Sequence, residues 1–358
     1  MTLAQALRRE NNNADFLRLI AACAVIWGHA YGLTGSSIQE PVSRMLGFDY
    51  SGSLAVKFFF FLSGLLVMNS WINNPSAIRF VCARAFRILP ALVLSAAVCL
   101  LVLGPFLTEL PPRAYFANSW IYWHIIAKPT VGYVLPGALQ HNPYTAANGV
   151  LWTIPYELTM YALLLGAGLC GLLRQRAFAS AALVVIMALF IAQPETVTAL
   201  GFQYTHEAGL LPAFFAAGAL LALHKDQIRI NGGLVVGLVL IAWLLKDGPA
   251  FRYCFYAAFL MMALWAMTLA PVRRIHLGGD YSYGVYLYGW PVQQALVALF
   301  PTLGLAANQW LSITIALIIA AVSWHLIERR CIRLGHRVPD RIVALLSSAI
   351  KVRDFEKV

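Results

Sequence analysis

Three ionisable side chains share one apolar stretch. Residues 14–30 read ADFLRLIAACAVIWGHA and carry Asp15, Arg18 and His29. An Arg or Asp at the centre of a membrane helix costs about 2.5–3.5 kcal/mol, so such residues face a partner or a cavity. Asp15 and Arg18 are i, i+3 neighbours on a helix. His29 follows Arg18 by eleven residues, which puts the two within about 20° of one helical face and about 16 Å apart along the axis. One cavity can see both. A guanidinium grips phosphate or carboxylate bidentately. An imidazole works near neutral pH as a general base or as a nucleophile. The plainer readings are an arginine that snorkels to the headgroups and a histidine that merely hydrogen bonds near the far interface.

Further polar groups lie beside apolar runs. Arg84 and Arg87, with Arg79 upstream, precede Pro90. They read either as a topology signal or as a phosphate clamp. Glu157, in LWTIPYELTMYALL, has Tyr161 at i+4 and needs a proton or a partner. Ser63-Gly64 ends a run of four phenylalanines, Phe58 to Phe61, and allows close helix approach. Tyr281, Tyr283, Tyr286 and Tyr288 crowd the start of GGDYSYGVYLYGWPVQQAL, either as an interfacial aromatic belt or as part of a site.

The elements that position these groups must be membrane helices. The chain has 358 residues, 60% hydrophobic and 11% charged, far from the quarter charged of a soluble domain. The sequence predicts an all-α polytopic membrane protein with about ten transmembrane helices, at about 14–33, 54–72, 88–107, 150–173, 178–193, 207–223, 232–246, 252–270, 280–300 and 306–327. Lysine and arginine then divide 20 against 6 between the two sides, which places both termini in the cytoplasm. The basic residues are spread through short loops, so the net charge of +11 points to no nucleic acid. The expected membrane domain covers residues 1–335. Residues 336–358 form a basic cytoplasmic tail with amphipathic character.

The six cysteines lie far apart without CxxC spacing, so neither a metal site nor a disulfide is expected. Arg8-Arg9 followed by Ile20-Ala21-Ala22-Cys23 imitates a lipoprotein signal, but Asp15 and Arg18 interrupt its apolar stretch, and the segment reads as a retained first helix. The loop from about 108 to 149 holds Trp120, Trp123 and His124. It reads as an aromatic segment along the interface or as a surface on which sugars stack.

Taken together, these motifs resemble the membrane-bound acyltransferase-3 family, bacterial glycan O-acyltransferases, in its stand-alone membrane-domain form. Asp15-x2-Arg18-x10-His29 is similar to the family's first-helix pattern, and Phe58 to Gly64 to its FFxLSG signature. Arg84-Ala85-Phe86-Arg87 matches RxxR. Leu151-Trp152-Thr153 with Glu157 and Tyr161 resembles LWS…E…Y. Ser282-Tyr283-x2-Tyr286-Leu287-x3-Pro291 resembles SYxxYLxHxP, and Glu328-Arg329 the closing ER pair. Two positions depart from the pattern: Gly289 stands where a histidine is common, and Cys331 where a proline is.

The resemblance implies acyl transfer, acetyl foremost, from cytoplasmic acyl-CoA to a hydroxyl of a surface or secreted polysaccharide, its lipid-linked precursor or a related glycoside. It implies location in the inner membrane, polysaccharide-assembly proteins as partners, and no tightly bound cofactor. Arg84 and Arg87 would hold CoA phosphates and Arg18 would guide the donor. His29 would act as base or acyl carrier with Glu157 orienting it, while Asp15, Ser63, Tyr161 and Tyr283 support the site. The rival reading is a transporter or flippase, but no inverted repeat or matched pair of broken helices is visible.

Overall fold

The computed structural model describes residues 1–127, 134–203, 205, 207–340 and 342. Among them the regular structure is helical, with only isolated β-bridges besides. The principal helices are α1 (Ala14–Leu33), α2 (Ser51–Asn73), α3 (Ala77–Ala97), α4 (Thr153–Leu169), α5 (Arg176–Ala192), α6 (Leu211–Leu223), α7 (Gly232–Leu244), α8 (Phe251–Ala266), α9 (Ser282–Leu299) and α10 (Leu305–Ser323).

The expected count of about ten crossings is overturned. Among the described residues, five helical stretches are long and apolar enough to cross a membrane: Ala14–Leu33, Ser51–Asn73, Ala77–Leu107, Gly149–Leu169 and Leu305–Asp340. A sixth is added if Arg176–Ala192 and Pro194–Leu200, which meet at a bend of 112°, form one span. Length explains most of the difference. Ala208–Leu223, Gly232–Leu244 and Phe251–Ala266 are apolar but short. A helix of 13 residues reaches only about 20 Å into a hydrocarbon core of about 30 Å. Polarity explains α9, whose buried residues include Ser282, Gln293 and Gln294. The parity that placed both termini on one side goes with the count. What stands is an all-α, multi-pass membrane protein.

One other expectation changes. Arg79, Arg84 and Arg87 are not in a loop before the third helix. They lie on α3, which begins at Ala77 because the Ser76 hydroxyl caps it by accepting from the Arg79 amide. Lys57, within the expected second span at 54–72, lies inside α2 and is buried. The basic tail after residue 336 lies mostly outside the described residues, as does Lys128.

Packing around the site follows from small residues and buried amides. A Cβ on Gly64 would run into the Phe215 carbonyl, and one on Gly218 into that of Phe61, so α2 and α6 meet backbone to backbone, as Ser63-Gly64 leads one to expect. Helix α1 packs against both α2 and α9. Gln293 donates to the Ile26 carbonyl at 2.8 Å and Gln309 to that of Trp27 at 3.2 Å, which satisfies amides that would otherwise be costly inside a membrane protein. Asn13 caps α1 by accepting from Phe16, and its amide donates to Val272 and Ile275. The start of α1, and Arg18 with it, is thereby tied to the segment before α9.

Candidate active site

A cavity of about 120 Å³ lies between α1, α2, α3, α4 and α9. Its polar wall combines Arg18, Arg84 and Arg87 with Ser63, Glu157 and Tyr161, and Tyr283 also lines it. Seven of the residues singled out from the sequence therefore meet in one place, though they come from five helices.

The three arginines are held differently. Arg18 and Arg87 both bind Oδ2 of Asp280, at 2.6 and 2.8 Å, while Ser282 donates to Oδ1 at 2.6 Å. Burial alone would raise the Asp280 pKa, but the guanidinium groups of Arg18 and Arg87 outweigh it and hold the carboxyl well below the usual carboxylate range. Asp15 lies 3.6 Å from Arg18 and is half-exposed, a weaker partner than Asp280. Arg84 lies over the Tyr161 ring at 5.8 Å, and its Nε is buried without a hydrogen-bond partner.

Glu157 is not beside His29. It accepts a short hydrogen bond from the Tyr161 hydroxyl and one from Ser63 at 3.3 Å. The Ser63 and Tyr161 hydroxyls are 2.7 Å apart. Tyr283 donates to the Ile88 carbonyl at 3.3 Å.

His29 stands outside the cavity lining. Phe59, packed on the Tyr286 ring at 6.0 Å, and Thr153, whose hydroxyl is 2.7 Å from that of Tyr286, also line the cavity. One turn further along α9, Trp290 meets the His29 ring edge-on at 4.9 Å. Tyr50 Oη is 3.4 Å from His29 Nε2, and Nδ1 is buried without a partner. Arg18 and His29 lie on one helix, eleven residues apart, yet of the two only Arg18 lines the cavity, so the expectation that one cavity sees both is not met.

Sequence reasoning missed Asp280 and Tyr50. Asp280 immediately precedes the Ser282-Tyr283 motif, a position that could have drawn notice. Gly289 is explained by packing, because a Cβ there would lie 2.5 Å from Ile26 Cγ1. Of the loop aromatics, Trp120 stacks on His124 at 3.8 Å and Trp123 is exposed.

Comparison with known proteins adds to this geometry. A family profile described as an acyltransferase domain matches residues 11–328. An O-acetyl transferase of Shigella phage Sf6 is 29% identical over 344 residues, covering 90% of this chain and 96% of the relative. Nodulation protein 10 of Rhizobium leguminosarum bv. viciae is 30% identical over 363 residues, covering 90% of this chain and 94% of the relative. No solved structure matches.

Proposed function

The chain belongs to the acyltransferase family matched over residues 11–328 and is a multi-pass membrane acyltransferase; we propose that it moves an acetyl group from acetyl-CoA to a hydroxyl of a bacterial glycan, its lipid-linked precursor or a related glycoside. The name of the phage relative, an O-acetyl transferase, supports acetyl as the group moved. The donor comes from the cytoplasmic side of the inner membrane and the acceptor from the other side.

Arg84 carries the donor half of this reading. A buried donor without a partner costs about 1–3 kcal/mol, and the Arg84 Nε is one. A phosphate oxygen relieves that cost and gains a charge-assisted bond. Arg18 and Arg87, already turned into the cavity by Asp280, add positive charge without having to be ordered on binding. The CoA phosphates lie at this end. The pantetheine arm runs past Ser63 and Glu157 and brings the thioester toward His29.

His29 then removes the proton of the acceptor hydroxyl as that oxygen attacks the thioester carbonyl. The carbon–oxygen bond forms, the carbon–sulfur bond breaks, and the proton passes from the imidazolium to the CoA sulfur. Membranes containing the enzyme, given isotope-labelled acetyl-CoA and acceptor glycan, should place label in the glycan. With His29→Ala they should not, although the variant still inserts. Normal acylation with His29→Ala would overturn the assignment of His29. A glycan export defect with acylation intact would mark a transporter instead.

A further inference from the structure

The last helix does not stop with α10 at Ser323. Through a π-helical turn at Trp324–Glu328 it runs on as one stretch of 36 residues, Leu305–Asp340. At 1.5 Å per residue that is about 54 Å, against a hydrocarbon core of about 30 Å. The surplus is the basic end. We propose that Arg330, Arg333 and Arg337, on the outward face of this end, form a binding site for the phosphate headgroups of anionic phospholipid. The proposal stands apart from the assignment of His29.

The first support is the order of side chains along the helix. Trp310, Ile318, Val322 and Leu326 are each more than half exposed. Arg330, four residues after Leu326, is exposed too, as are Arg333 and Arg337. From Ile318 onward the steps are of three or four residues, the spacing of neighbours on a helix surface. This exposed strip is apolar as far as Leu326 and basic from Arg330. Trp310 precedes Arg330 by twenty residues, or about 30 Å of helix, the thickness of the hydrocarbon core. With the Trp310 indole at one interface, Arg330 stands at the other, at the level of the headgroups. Arg333 and Arg337 follow within about 10 Å.

The second support is direction. A Cβ on Gly335 would meet Phe86 Cβ at 2.7 Å and the Cys82 carbonyl oxygen at 3.1 Å, so the Gly335 side packs on α3. At about 100° per residue the three arginines lie within about 40° of the opposite side. They point away from the body of the protein and away from the cavity that Arg84 and Arg87 line.

The third support is charge. This stretch carries two carboxylates, and both are engaged. Glu328 is buried and accepts from Ser323 at 2.6 Å. Asp340 pairs with Arg79 at 2.8 Å. Among the described residues no ion pair involves Arg330, Arg333 or Arg337. Arg333 spends its Nε on the Arg329 carbonyl at 3.3 Å, which leaves the rest of its guanidinium for a ligand. A guanidinium grips a phosphate bidentately. A zwitterionic headgroup brings its own cation to such a site, whereas an anionic one does not. Leu334, 49% exposed beside Arg333, offers apolar contact to the acyl chains.

The test is lipid binding to the purified full chain in neutral detergent, titrated with phosphatidylglycerol or phosphatidylcholine and counted by native mass spectrometry. Each arginine near an anionic surface is worth roughly fivefold in association. The parent should therefore bind its first phosphatidylglycerol roughly ten- to a hundredfold more tightly than phosphatidylcholine. Arg330→Gln/Arg333→Gln/Arg337→Gln should lose most of that ratio, and Arg330→Gln/Arg333→Gln, a milder change, should lose part of it. Both should melt as the parent does, because these side chains face away from the packed side. Arg8→Gln/Arg9→Gln, which removes two exposed charges elsewhere, should keep the ratio. Equal affinity for the two lipids in the parent, a parental ratio in the triple variant, or an equal loss in Arg8→Gln/Arg9→Gln would overturn the site.

Discussion

Arg18 and Asp280, 262 residues apart in sequence, meet at 2.6 Å with their side chains only 14% and 9% exposed. Because Arg87 shares the same oxygen, one carboxylate aims two guanidinium groups from two helices into the cavity. Asp280→Asn leaves Arg87 without its ion-pair partner and Arg18 with only the weaker Asp15 at 3.6 Å. Breaking a buried pair costs about 3–5 kcal/mol. The Arg87 side chain is a third exposed, so solvent screening reduces that to about 2–3 kcal/mol here. The sign of the pH dependence follows from the depressed pKa of Asp280. Its contribution is fully present above the unfolded value of about 3.9 and is lost as pH falls through the lower folded value. Thermal melting in detergent should therefore show a constant gap between parent and variant from about pH 5 to 8, closing only under stronger acid.

Arg84 and Arg87 separate into two roles that a paired motif conceals. Arg84 makes no hydrogen bond through its buried Nε, whereas Arg87 holds Asp280 at 2.8 Å. Arg84→Ala should raise the donor KM by roughly ten- to a hundredfold, the worth of a lost hydrogen bond to a phosphate, with little change in melting temperature. Arg87→Ala should raise the donor KM and also lower the melting temperature. Donor KM in membranes, measured beside melting in detergent, checks both. An unchanged KM in Arg84→Ala would end its role as a phosphate ligand.

The two ends of α1 show how much could be read from the residues alone. The helix occupies 14–33 as its hydrophobicity requires, and the Arg18–His29 spacing holds because it is a property of one rigid element. Ser63, Arg84, Glu157, Tyr161 and Tyr283 are legible as motifs, and they do share a cavity. Asp280 is not legible as the partner of Arg18, because no local period connects residues so far apart. The number of crossings fails for a related reason. Hydropathy registers that 232–244 is apolar, but not that its helix stops after 13 residues. Nor can it register that α9 spends its amides on the carbonyls of α1 and of the loop at Tyr144 and Ala146.

Gly289, which departs from the family's histidine, makes a prediction about packing. A Cβ at this position would lie 2.5 Å from Ile26 Cγ1, and Ile26 is one turn before His29 on α1. Gly289→Ala should force α9 away from α1 and destabilise by about 1–3 kcal/mol, the usual range for overpacking. Ile26→Ala in the same chain removes the clashing atom and should restore most of that loss, giving a clear interaction energy in a double-mutant cycle. Gly289→His should lose both stability and activity, since the larger side chain enters the same contact. Melting temperatures of the four chains of the Gly289/Ile26 cycle decide it, and additive losses would show that the contact is not what constrains the position.

Lys57 and Asp49 form the most enclosed ion pair described, 2.8 Å apart with both side chains 2% exposed. Tyr256 also donates to Asp49 Oδ2 at 2.9 Å, so the pair joins the first turns of α2 to α8. Lys57→Met removes the ammonium but not the carboxylate, and an unpaired buried charge costs about 3–5 kcal/mol. Removing both charges together, with Asp49→Leu added, should recover most of the loss, because a well-packed apolar pair is often neutral or better than a buried ion pair. The double variant should therefore melt near the parent in detergent while Lys57→Met alone melts well below it, and a double variant no more stable than Lys57→Met would show that the ion pair is not what the site requires.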